Sequence, residues 1–391
     1  MKVDKSKWAE TAFAEIATSQ LGKTLDANKN KGLPYPYLCA ANIGMGYFNL
    51  SNVKEILLDD SELEKYLVRK GDLLICEGGD TGRCAIWESE DPIYYQNALH
   101  RVRFNDGIHN KFIMYYLHYY KKVGIIDKLS HGQTIKHFTQ KGLSKLSFRM
   151  PTISEQKGIA SELDAIQAMI DGYNAQLHDL DELIKSIFND TFGEPISNPK
   201  GWDVDILENI VSDDCPITYG IVQPGDDVNE GIPVVRPVDL IGTYVNKTFL
   251  KKVSPEISDS YKRTILKGNE ILICVRGTTG VVSFATEDMK GCNVTRGIVP
   301  LSFIRHNKWF MYWCIKSYEM NNLIQKYTKG ATLKQINIKD LRQLPFPTPP
   351  LELQEKFGKQ AELIETQRAL LNQQIYDARN LMAERMQYYF S

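Results

Sequence analysis

The sequence lacks the features that would place the protein in a membrane or outside the cell. No apolar run approaches the roughly 18 residues that a membrane span requires, and the opening residues MKVDKSKWAE lack the apolar core of a signal peptide. The seven cysteines include no CxxC pair, which argues against a disulfide framework and against a zinc site. We therefore expect a cytoplasmic protein with reduced thiols, in which Cys76 and Cys274 pack in the core.

Motifs for catalysis are also absent. The chain has no Walker motif, no HExxH, no [DN]PP[YF], no recognisable adenosylmethionine loop and no convincing nuclease carboxylate cluster. Its seven histidines show no metal-ligand spacing, and His131 and His137 have no histidine counterpart later in the chain. We predict that the chain has no catalytic residue, no metal site and no cofactor of its own.

Charge is divided unevenly along a chain whose formal net charge is only -1. Residues 111–149 carry eight Lys or Arg against one acid, and residues 305–342 carry eight against two. The intervening residues 155–190 carry eight acids against Lys157 and Lys185. Two basic blocks separated by an acidic segment indicate two anion-binding surfaces, although ordinary solvated surface charge is the alternative.

The chain is a tandem duplication. At 391 residues it is long enough for two or more domains, and segments recur after 198 residues. Between residues 132 and 156 there are nine identities in 25 ungapped positions, where one or two would arise by chance. The recurring residues include Leu74-Ile75-Cys76 with Leu272-Ile273-Cys274, Gly79, Thr81 and Gly82 with Gly277, Thr279 and Gly280, and Gly132, Thr134, Lys136 and Lys141 with Gly330, Thr332, Lys334 and Lys339.

A long helix is predicted between Thr152 and Gly193. Thr152 with Glu155 is a capping-box pattern, and Gly193 precedes two prolines. Apolar or compatible side chains recur at the alternating three- and four-residue spacing of a coiled-coil seam, at Gln156, Ile159, Leu163, Ile166, Ile170, Tyr173, Leu177, Leu180, Ile184 and Ile187. Such a helix is roughly 55 Å long and needs a partner of similar length.

The second copy supplies that partner. Pro349 and Pro350 open a helix from Leu351 to about Tyr389, and Arg368 interrupts its apolar spacing. The seam positions are Phe357, Ala361, Ile364, Leu371, Ile375, Ala378 and Met382. We predict an α+β protein in which two long antiparallel helices form a coiled coil that separates two strand-rich mixed α/β domains, with a pseudo-two-fold internal repeat. The predicted boundaries are 1–151 and 194–348 for the domains, and 152–193 and 349–391 for the helices.

The candidate DNA-binding residues lie mainly in the segments SHGQTIKHFTQKGL and TKGATLKQINIKDL. A glycine, a threonine and a lysine at alternate positions form a loop that can bind an anion through backbone, hydroxyl and ammonium groups. The residues are Thr134, Lys136 and Lys141 in the first copy and Thr332, Lys334 and Lys339 in the second. The alternative is a turn that carries the chain onto a sheet edge, in which Gly132 supplies a positive φ.

Two further candidates lie in the glycine-rich turns EGGDTGR and RGTTG. Arg83 and Arg276 could contact guanine edges in a major groove, although a tight turn with exposed arginines explains these residues almost as well. The aromatic residues of KFIMYYLHYY and KWFMYWCIKSY could stack on bases, but their helical spacing favours burial in the core.

Taken in order, these segments resemble the specificity subunit of type I restriction-modification systems. The resemblance covers the whole chain and rests on the order domain, helix, domain, helix. It also rests on the junctions PFPTPPLELQ and SFRMPTISEQ and on FGEPISNPKGW between the first helix and the second domain. The first junction departs from the family pattern in having Thr152 and Ile153 where the second junction has Pro350 and Leu351.

The resemblance implies a non-catalytic subunit that binds double-stranded DNA. In that family each domain is a target recognition domain, and the helices are conserved regions that set the spacing and bind two methyltransferase (modification) subunits. Those subunits carry S-adenosylmethionine and methylate adenine, and restriction subunits add ATP- and Mg-dependent translocation and cleavage. The complex is thus an adenine-N6 DNA methyltransferase and an ATP-dependent endonuclease.

The predicted geometry leads to the same function. Antiparallel helices would relate the two domains by an approximate two-fold axis, so that each meets the duplex in an equivalent way. We expect an asymmetric, bipartite DNA target whose half-sites lie about 34 Å or somewhat more apart. The competing interpretation is a duplicated scaffold with an intermolecular coiled coil, whose domains bind other proteins.

Overall fold

The computed structural model describes residues 3–26, 30–132, 136–330 and 333–391. Its contacts divide the chain into two units, residues 1–174 with 372–391 and residues 175–371. Each unit combines one strand-rich domain with a part of each of the two long helices. The mixed α and β composition and the internal repeat predicted from the sequence are confirmed.

The first unit contains two four-stranded sheets. One is antiparallel, in the order Ala17–Leu21, Leu99–Phe104, Leu73–Cys76 and Cys84–Ile86. Every residue of its strand Leu73–Cys76 is buried, which explains the unbroken apolar run in the sequence. The other sheet is mixed, in the order Lys54–Leu58, Leu33–Leu38, Ile93–Tyr95 and Leu67–Val68. The strands Ala9–Ala12 and Ser147–Met150 pair separately, and Ser147–Met150 directly precedes the first long helix.

The second unit repeats this plan with shorter sheets. One is antiparallel, in the order Val282–Phe284, Ile271–Cys274 and Ile298–Leu301. The other is mixed, in the order Lys251–Val253, Ile232–Val235 and Asn293–Val294. The strands Val204–Ile206 and Pro345–Pro347 pair at the junction with the second long helix.

Short helices cover the sheets, and their aromatic residues are core residues. In the helix Asn110–Lys122, Phe112, Tyr115 and Tyr116 are buried, and the helix Lys308–Lys316 buries Trp309 and Trp313. Burial in the core, as favoured from the sequence, is therefore confirmed over base stacking. The other short α-helices are Phe13–Ile16, Asp60–Tyr66, Ile125–Leu129, Gln140–Leu143, Leu207–Ile210, Pro255–Asp259, Tyr318–Tyr327 and Ile338–Arg342.

The two long helices have 40 residues each, Ile153–Phe192 and Leu351–Phe390. The capping box predicted at the first helix is present: the Thr152 hydroxyl accepts from the Glu155 amide at 3.3 Å, and a Glu155 carboxylate oxygen accepts from the Thr152 amide at 3.0 Å. Gly193 ends the helix with a φ of 75°.

Within each unit the two helices pack antiparallel. In the first unit, Ile166 and Ile170 pack with Ala378 and Met382, and Arg385 forms a 2.8 Å ion pair with Glu162. Positions early in the first helix thus contact positions late in the second.

The second unit shows the same antiparallel direction in the other parts of the helices. There the rings of Phe188 and Phe357 lie 5.5 Å apart, and Arg368 pairs with Asp181. Arg368, which interrupts the apolar spacing of the second helix, therefore reaches across to a carboxylate of the first.

The apolar seam is less regular than the heptad pattern predicted. Among the predicted positions, Tyr173, Leu177, Leu180, Ile187 and Met382 are only partly buried. Phe188 and Phe192 fill the core in place of a continued seam. An ideal α-helix drifts by about 20° per heptad from a strict seven-residue repeat, which moves Phe188 and Phe192 onto the buried face. The predicted seam positions that are buried are Gln156, Ile159, Leu163, Ile166, Ile170, Ile184, Phe357, Ala361, Ile364, Leu371, Ile375 and Ala378.

The helix ends belong to the cores of the domains rather than to a helix–helix seam. Ile159 and Leu163 join the core of the first domain together with Tyr389 and Phe390. Phe357 and Phe192 join the core of the second. Each long helix is therefore anchored in a domain core, partly by predicted seam residues and partly by Phe192, Tyr389 and Phe390, which the heptad pattern does not single out.

Cys76 and Cys274 are buried, as predicted, and all seven cysteines are unpaired. Burial raises the pKa of the Cys76 thiol to about 11, which keeps it protonated at neutral pH. Among the helices of the described residues, none is both long and apolar enough to cross a membrane.

Candidate nucleic-acid interface

Three loops meet at one edge of the first domain, and backbone hydrogen bonds hold them together. They are the glycine-rich turn 77–83, the two-residue turn formed by Asn97 and Ala98, and the paired segments 131–132 and 136–137, which we call the hairpin. The amide of Glu77 donates to the carbonyl of Ala98 at 2.9 Å, and the amide of Phe138 donates to the carbonyl of Glu77 at 2.7 Å. Glu77 therefore connects all three loops. We call this set of loops the recognition edge of the first domain.

The second domain has a recognition edge whose loops are joined by the same backbone hydrogen bonds, and we call this pattern of bonds the frame. Its loops are the glycine-rich turn 275–281, the two-residue turn formed by Arg296 and Gly297, and the paired segments 329–330 and 333–335, which form its hairpin. The amide of Val275 donates to the carbonyl of Gly297 at 2.8 Å, and the amide of Ile336 donates to the carbonyl of Val275 at 3.0 Å. The frame is thus duplicated bond for bond.

Paired hydroxyl groups tie each glycine-rich turn to the start of its hairpin. The Thr81 and Ser130 hydroxyls lie 3.2 Å apart, and the Thr328 hydroxyl donates to that of Thr279 at 3.1 Å. Thr81 and Thr279 are both buried. The recurrence of these threonines in the sequence therefore reflects a structural role in the frame, since a buried hydroxyl needs a partner.

Gly82 permits the close approach of the first glycine-rich turn to a neighbouring helix. Its φ is 81°, and a Cβ atom added there would lie 2.6 Å from Cγ2 of Ile126. Both the backbone conformation and the space thus require glycine at this position.

Each hairpin is a narrow backbone ladder that presents a lysine. His131 and His137 exchange two hydrogen bonds of 2.9 and 2.8 Å, and Lys329 and Gln335 exchange two of 2.8 Å. Gly132 has a φ of 129°, so the positive φ considered from the sequence is confirmed. The predicted Thr134 and Thr332 lie outside the described residues.

The predicted lysines are exposed on and beside the hairpins. Lys136 and Lys334 belong to the hairpins themselves, and both are exposed. Lys141 and Lys339 are exposed on the helices Gln140–Leu143 and Ile338–Arg342 that follow. Exposed ammonium groups are suited to phosphate contacts, and this role stays a prediction for all four lysines.

The two predicted arginines occupy different places in the frame. The Arg83 guanidinium donates to the carbonyls of Ile43 at 2.7 Å and Ala40 at 3.1 Å, so it braces the glycine-rich turn against a neighbouring segment. A base contact by Arg83 would require these bonds to be given up, and the exposed arginine assumed from the sequence is not what the structure shows. Arg276 is partly exposed, and its backbone forms a bridge with Gln335. Guanine contact therefore stays a prediction that the environment of Arg276 suits better than that of Arg83.

Part of each basic block is used in ion pairs within the protein. Lys111 pairs with Glu88 and Asp164, and Lys121 lies 2.6 Å from Asp80. In the second block, Arg342 pairs with Glu208. The basic residues that remain exposed beside the hairpins are Lys128, Lys136, Lys141 and Lys145 in the first domain and Lys326, Lys329, Lys334 and Lys339 in the second.

The side chains on the two frames differ. In the second domain, the Arg296 guanidinium carbon lies 5.7 Å from the ring centroid of Tyr219, and the Gln335 amide donates to the Tyr219 hydroxyl at 3.0 Å. The first domain has Asn97 where the second has Arg296, and His137 where the second has Gln335. Burial raises the pKa of the Glu77 carboxyl beside this turn, and the charge of His137 opposes that shift.

Asn97, Tyr219, Arg296 and Gln335 were not identified from the sequence. The 198-residue shift aligns Arg296 with Ala98, because the second copy has one residue more than the first between its glycine-rich turn and this two-residue turn. Cys76 pairs with Leu99 in the first domain, and Cys274 pairs with Ile298 in the second. When the two domains are aligned on these strand pairs, Arg296 is equivalent to Asn97. The missed signal was therefore a one-residue change of register between the two copies.

Within the described ranges, no group of three or more His, Cys, Asp or Glu side chains could hold a metal ion. What the structure does present is the same loop frame twice, with exposed lysines on both copies. The two related surfaces carry the exposed lysines that a polyanion contact would need, and the candidate contacts lie on hairpins and turns rather than in a pocket.

Comparison with known proteins identifies the class. The family described as type I restriction modification DNA specificity domain matches residues 5–180 and 219–377, which is most of the chain. The chain belongs to this family, whose members are the non-catalytic DNA-recognition components of type I restriction-modification complexes. DNA and the other components of such a complex are therefore its partners, and the scaffold alternative is not favoured.

Individual relatives agree with this assignment. The type I restriction enzyme EcoBI specificity subunit of Escherichia coli is 26% identical over 324 residues, covering 76% of this chain and 68% of the relative. The putative type I restriction enzyme MjaX specificity subunit of Methanocaldococcus jannaschii is 26% identical over 376 residues, covering 88% of this chain and 83% of the relative.

A solved structure shares the fold. The crystal structure of the type I restriction-modification system S subunit from M. genitalium matches with a TM-score of 0.59 and 15% identity, and the match covers 100% of this chain and 98% of that one. At this identity the similarity establishes the fold alone.

Proposed function

We propose that this chain recognises an asymmetric, bipartite DNA target and directs adenine methylation and restriction by partner subunits to it. Each domain would read one half-site through its recognition edge. The observation that carries the proposal is the pair of recognition edges, because one backbone frame recurs with different side chains in the two domains. A repeated frame can meet the duplex in the same manner twice, while different side chains select different bases.

Phosphate contacts alone would give binding without sequence preference. The exposed lysines beside each hairpin are suited to such contacts, which fix the position of a protein on the duplex. Because the net charge of the chain is -1, we expect the isolated protein to bind DNA weakly, and more tightly once partner subunits add their own contacts.

The long helices are proposed as the docking surface for two modification subunits. Besides the residues that pack inward, they expose large apolar side chains, among them Leu363 at 63% and Tyr376 at 61% exposure. Exposed apolar residues of this size on a helix are typical of protein–protein contact surfaces. Others on the two helices are Met169, Leu183, Leu370, Leu381 and Tyr388. The partner subunits would use S-adenosylmethionine for methylation, and restriction subunits would use ATP and Mg; this chain would bind none of these.

Exchange of one domain tests the proposal. Residues 1–150 are replaced by the corresponding part of a family relative, the chimera is co-expressed with the modification subunits, and methylated adenines are mapped across the genome. We expect one half of the methylated motif to change and the other half to stay. If both halves change, the assignment of one domain to one half-site is wrong.

A matched exchange of the second domain provides the control. Replacement of residues 194–348 should alter only the half that the first chimera preserved. A chimera that yields no methylation is checked for co-purification with the modification subunits, because retained assembly would locate the defect in DNA recognition.

A further inference from the structure

We propose that the first residue of the two-residue turn is the base-reading position of each recognition edge, with Asn97 reading adenine and Arg296 reading guanine. The inference rests on the proposed function, since it names the side chains through which the two half-sites would differ.

Asn97 and Arg296 occupy the same place in the two domains. The amide of Asn97 donates to the carbonyl of Lys23 at 2.9 Å, and the amide of Arg296 donates to the carbonyl of Ile221 at 2.7 Å. The next residue in each turn accepts a hydrogen bond from the glycine-rich turn. The backbone is thus fixed on both sides of the residue, and only the side chain differs.

These side chains are available for an external partner. Both residues are partly exposed. Within the part of the chain that the structure describes, neither the Asn97 amide nor the Arg296 guanidinium has a hydrogen bond or an ion pair with the protein. Arg83, by contrast, has its guanidinium bound to two backbone carbonyls. A polar group without a protein partner at a rigid turn can bind a base edge without first breaking an internal bond.

In the second domain, neighbouring side chains also orient the Arg296 guanidinium. Tyr219 lies against the Arg296 guanidinium, and the Gln335 amide holds the Tyr219 hydroxyl. A guanidinium positioned over an aromatic ring has fewer orientations to lose when it binds. Gln335 itself is a weaker candidate for base reading, because its amide nitrogen is already engaged with Tyr219.

The neighbouring lysines place the turn close to the duplex. Lys136 and Lys334 lie on the hairpins that share backbone hydrogen bonds with the glycine-rich turns, and these turns bond in the same way to Asn97–Ala98 and Arg296–Gly297. If the lysines contact phosphates, the turn side chains of the same edge lie within reach of a groove. Phosphate contact and base contact would then be divided between two loops of one frame.

The chemistry of the two side chains defines the preferred bases. Arginine can donate two parallel hydrogen bonds to O6 and N7 of guanine, and asparagine can bond to N6 and N7 of adenine. We therefore expect a guanine in the half-site read by the second domain and an adenine in the half-site read by the first. When Arg296 or Asn97 is replaced, the complex should no longer require the corresponding base.

The test uses the full chain co-expressed with its modification subunits and compares wild type with Arg296→Gln and Asn97→Ala. Methylated adenines are mapped in a host that lacks other adenine methylation, and purified complexes are titrated with duplexes that vary one position at a time. For Arg296→Gln we expect a guanine preference of roughly tenfold or more to disappear at one position of one half-site. For Asn97→Ala we expect relaxation at one adenine of the other half-site.

Lys290→Gln is the matched control, because it removes a charge from an exposed residue of the second unit that lies outside the recognition edge. It should leave the base preference at every position unchanged. Thermal unfolding of each complex verifies that the substitutions have not unfolded the domain.

The possible failures are separable. If Arg296→Gln weakens binding to all duplexes equally, Arg296 contacts phosphate and the inference is overturned. If the wild-type complex methylates a split motif but neither substitution relaxes any position, the inference fails while the proposed function stands. If the wild-type complex methylates a continuous motif, the proposed function itself fails.

Discussion

Gln156, buried near the start of the first long helix, accepts a hydrogen bond from the backbone amide of His109 at 2.8 Å. The same residue donates through its amide nitrogen to the Pro151 carbonyl at 3.0 Å. Gln354 makes the matching pair of bonds in the second copy, from the Asn307 amide at 3.0 Å and to the Pro349 carbonyl at 2.8 Å. A buried glutamine therefore fixes each long helix to its domain.

Replacement of Gln156 by leucine should destabilise the first unit by about 2–4 kcal/mol. The substitution leaves the partly buried His109 amide and the buried Pro151 carbonyl without this partner, and an unsatisfied buried group costs roughly 1–3 kcal/mol. Urea unfolding followed by circular dichroism measures the change. Gln176→Leu is the control, because Gln176 is exposed on the same helix and its replacement should change stability by less than about 0.5 kcal/mol. Equal effects of the two substitutions would contradict the junction role.

Gly82 and Gly79 provide a matched pair in the first glycine-rich turn. Both have a positive φ, of 81° and 73°, but a Cβ at Gly79 meets no atom within 4 Å, whereas one at Gly82 meets Ile126. Gly79→Ala should cost about 1 kcal/mol from the backbone conformation alone. Gly82→Ala should cost about 1–3 kcal/mol more, because Ile126 must move. Thermal or urea unfolding measures the stability of the two variants. Equal stabilities would refute this account.

Lys136→Gln should weaken DNA binding by the assembled complex to a similar extent for all sequences. If Lys136 neutralises one phosphate, the slope of log affinity against log salt concentration should become shallower by about 0.9. Fluorescence anisotropy across a series of salt concentrations measures that slope, and Lys334→Gln should behave alike. Lys54→Gln, which changes an exposed lysine on the strand Lys54–Leu58, should leave the slope unchanged. If both hairpin variants have the same salt-dependence slope as the wild type, Lys136 and Lys334 do not contact phosphates.

His118 should make the first unit sensitive to acid. Burial lowers the pKa of His118 from 6.5 to about 4, and its Nε2 atom lies 3.1 Å from the Cys84 carbonyl. Between these two pKa values the unfolded chain binds a proton at this residue and the folded chain does not, so stability falls as pH falls from about 7 to 4.

A His118→Gln variant isolates that contribution, because glutamine does not titrate. Wild type should lose up to about 3 kcal/mol more than the variant over this range of pH. Urea unfolding of both proteins at a series of pH values between 7 and 4 measures the difference. Parallel stability curves for the two proteins would show that His118 does not titrate with a lowered pKa.

The features that the sequence predicts well depend on local periodicity. The helix predicted from Thr152 to Gly193 is observed as Ile153–Phe192. The apolar segments around Cys76 and Cys274 are buried strands, as their composition indicates. Spacing and capping determine these elements through neighbours in the chain, so one sequence suffices to predict them.

The features that were missed depend on contacts between distant segments. The sequence suggests that the Arg83 side chain is exposed and free to contact DNA. In the structure its guanidinium donates to backbone carbonyls that are 40 and 43 residues away in the sequence. Gln156 fits the helix spacing as a seam residue, but its partners are in the domain. Arg296 becomes comparable with Asn97 only when the paired strands are aligned. In each case the partner is distant in sequence and cannot be inferred from spacing alone.

The first domain's core also contains Met386, Tyr389 and Phe390 from the second long helix. A ribosome must therefore translate the whole second repeat before the earliest-made domain can be completed. Until then Phe112 and Tyr116 lack Phe390, whose ring centroid lies 5.6 and 4.5 Å from theirs in the folded protein. The nascent chain thus carries an unfinished hydrophobic surface for most of its synthesis, and chaperone binding to Phe112 and Tyr116 is expected during that interval.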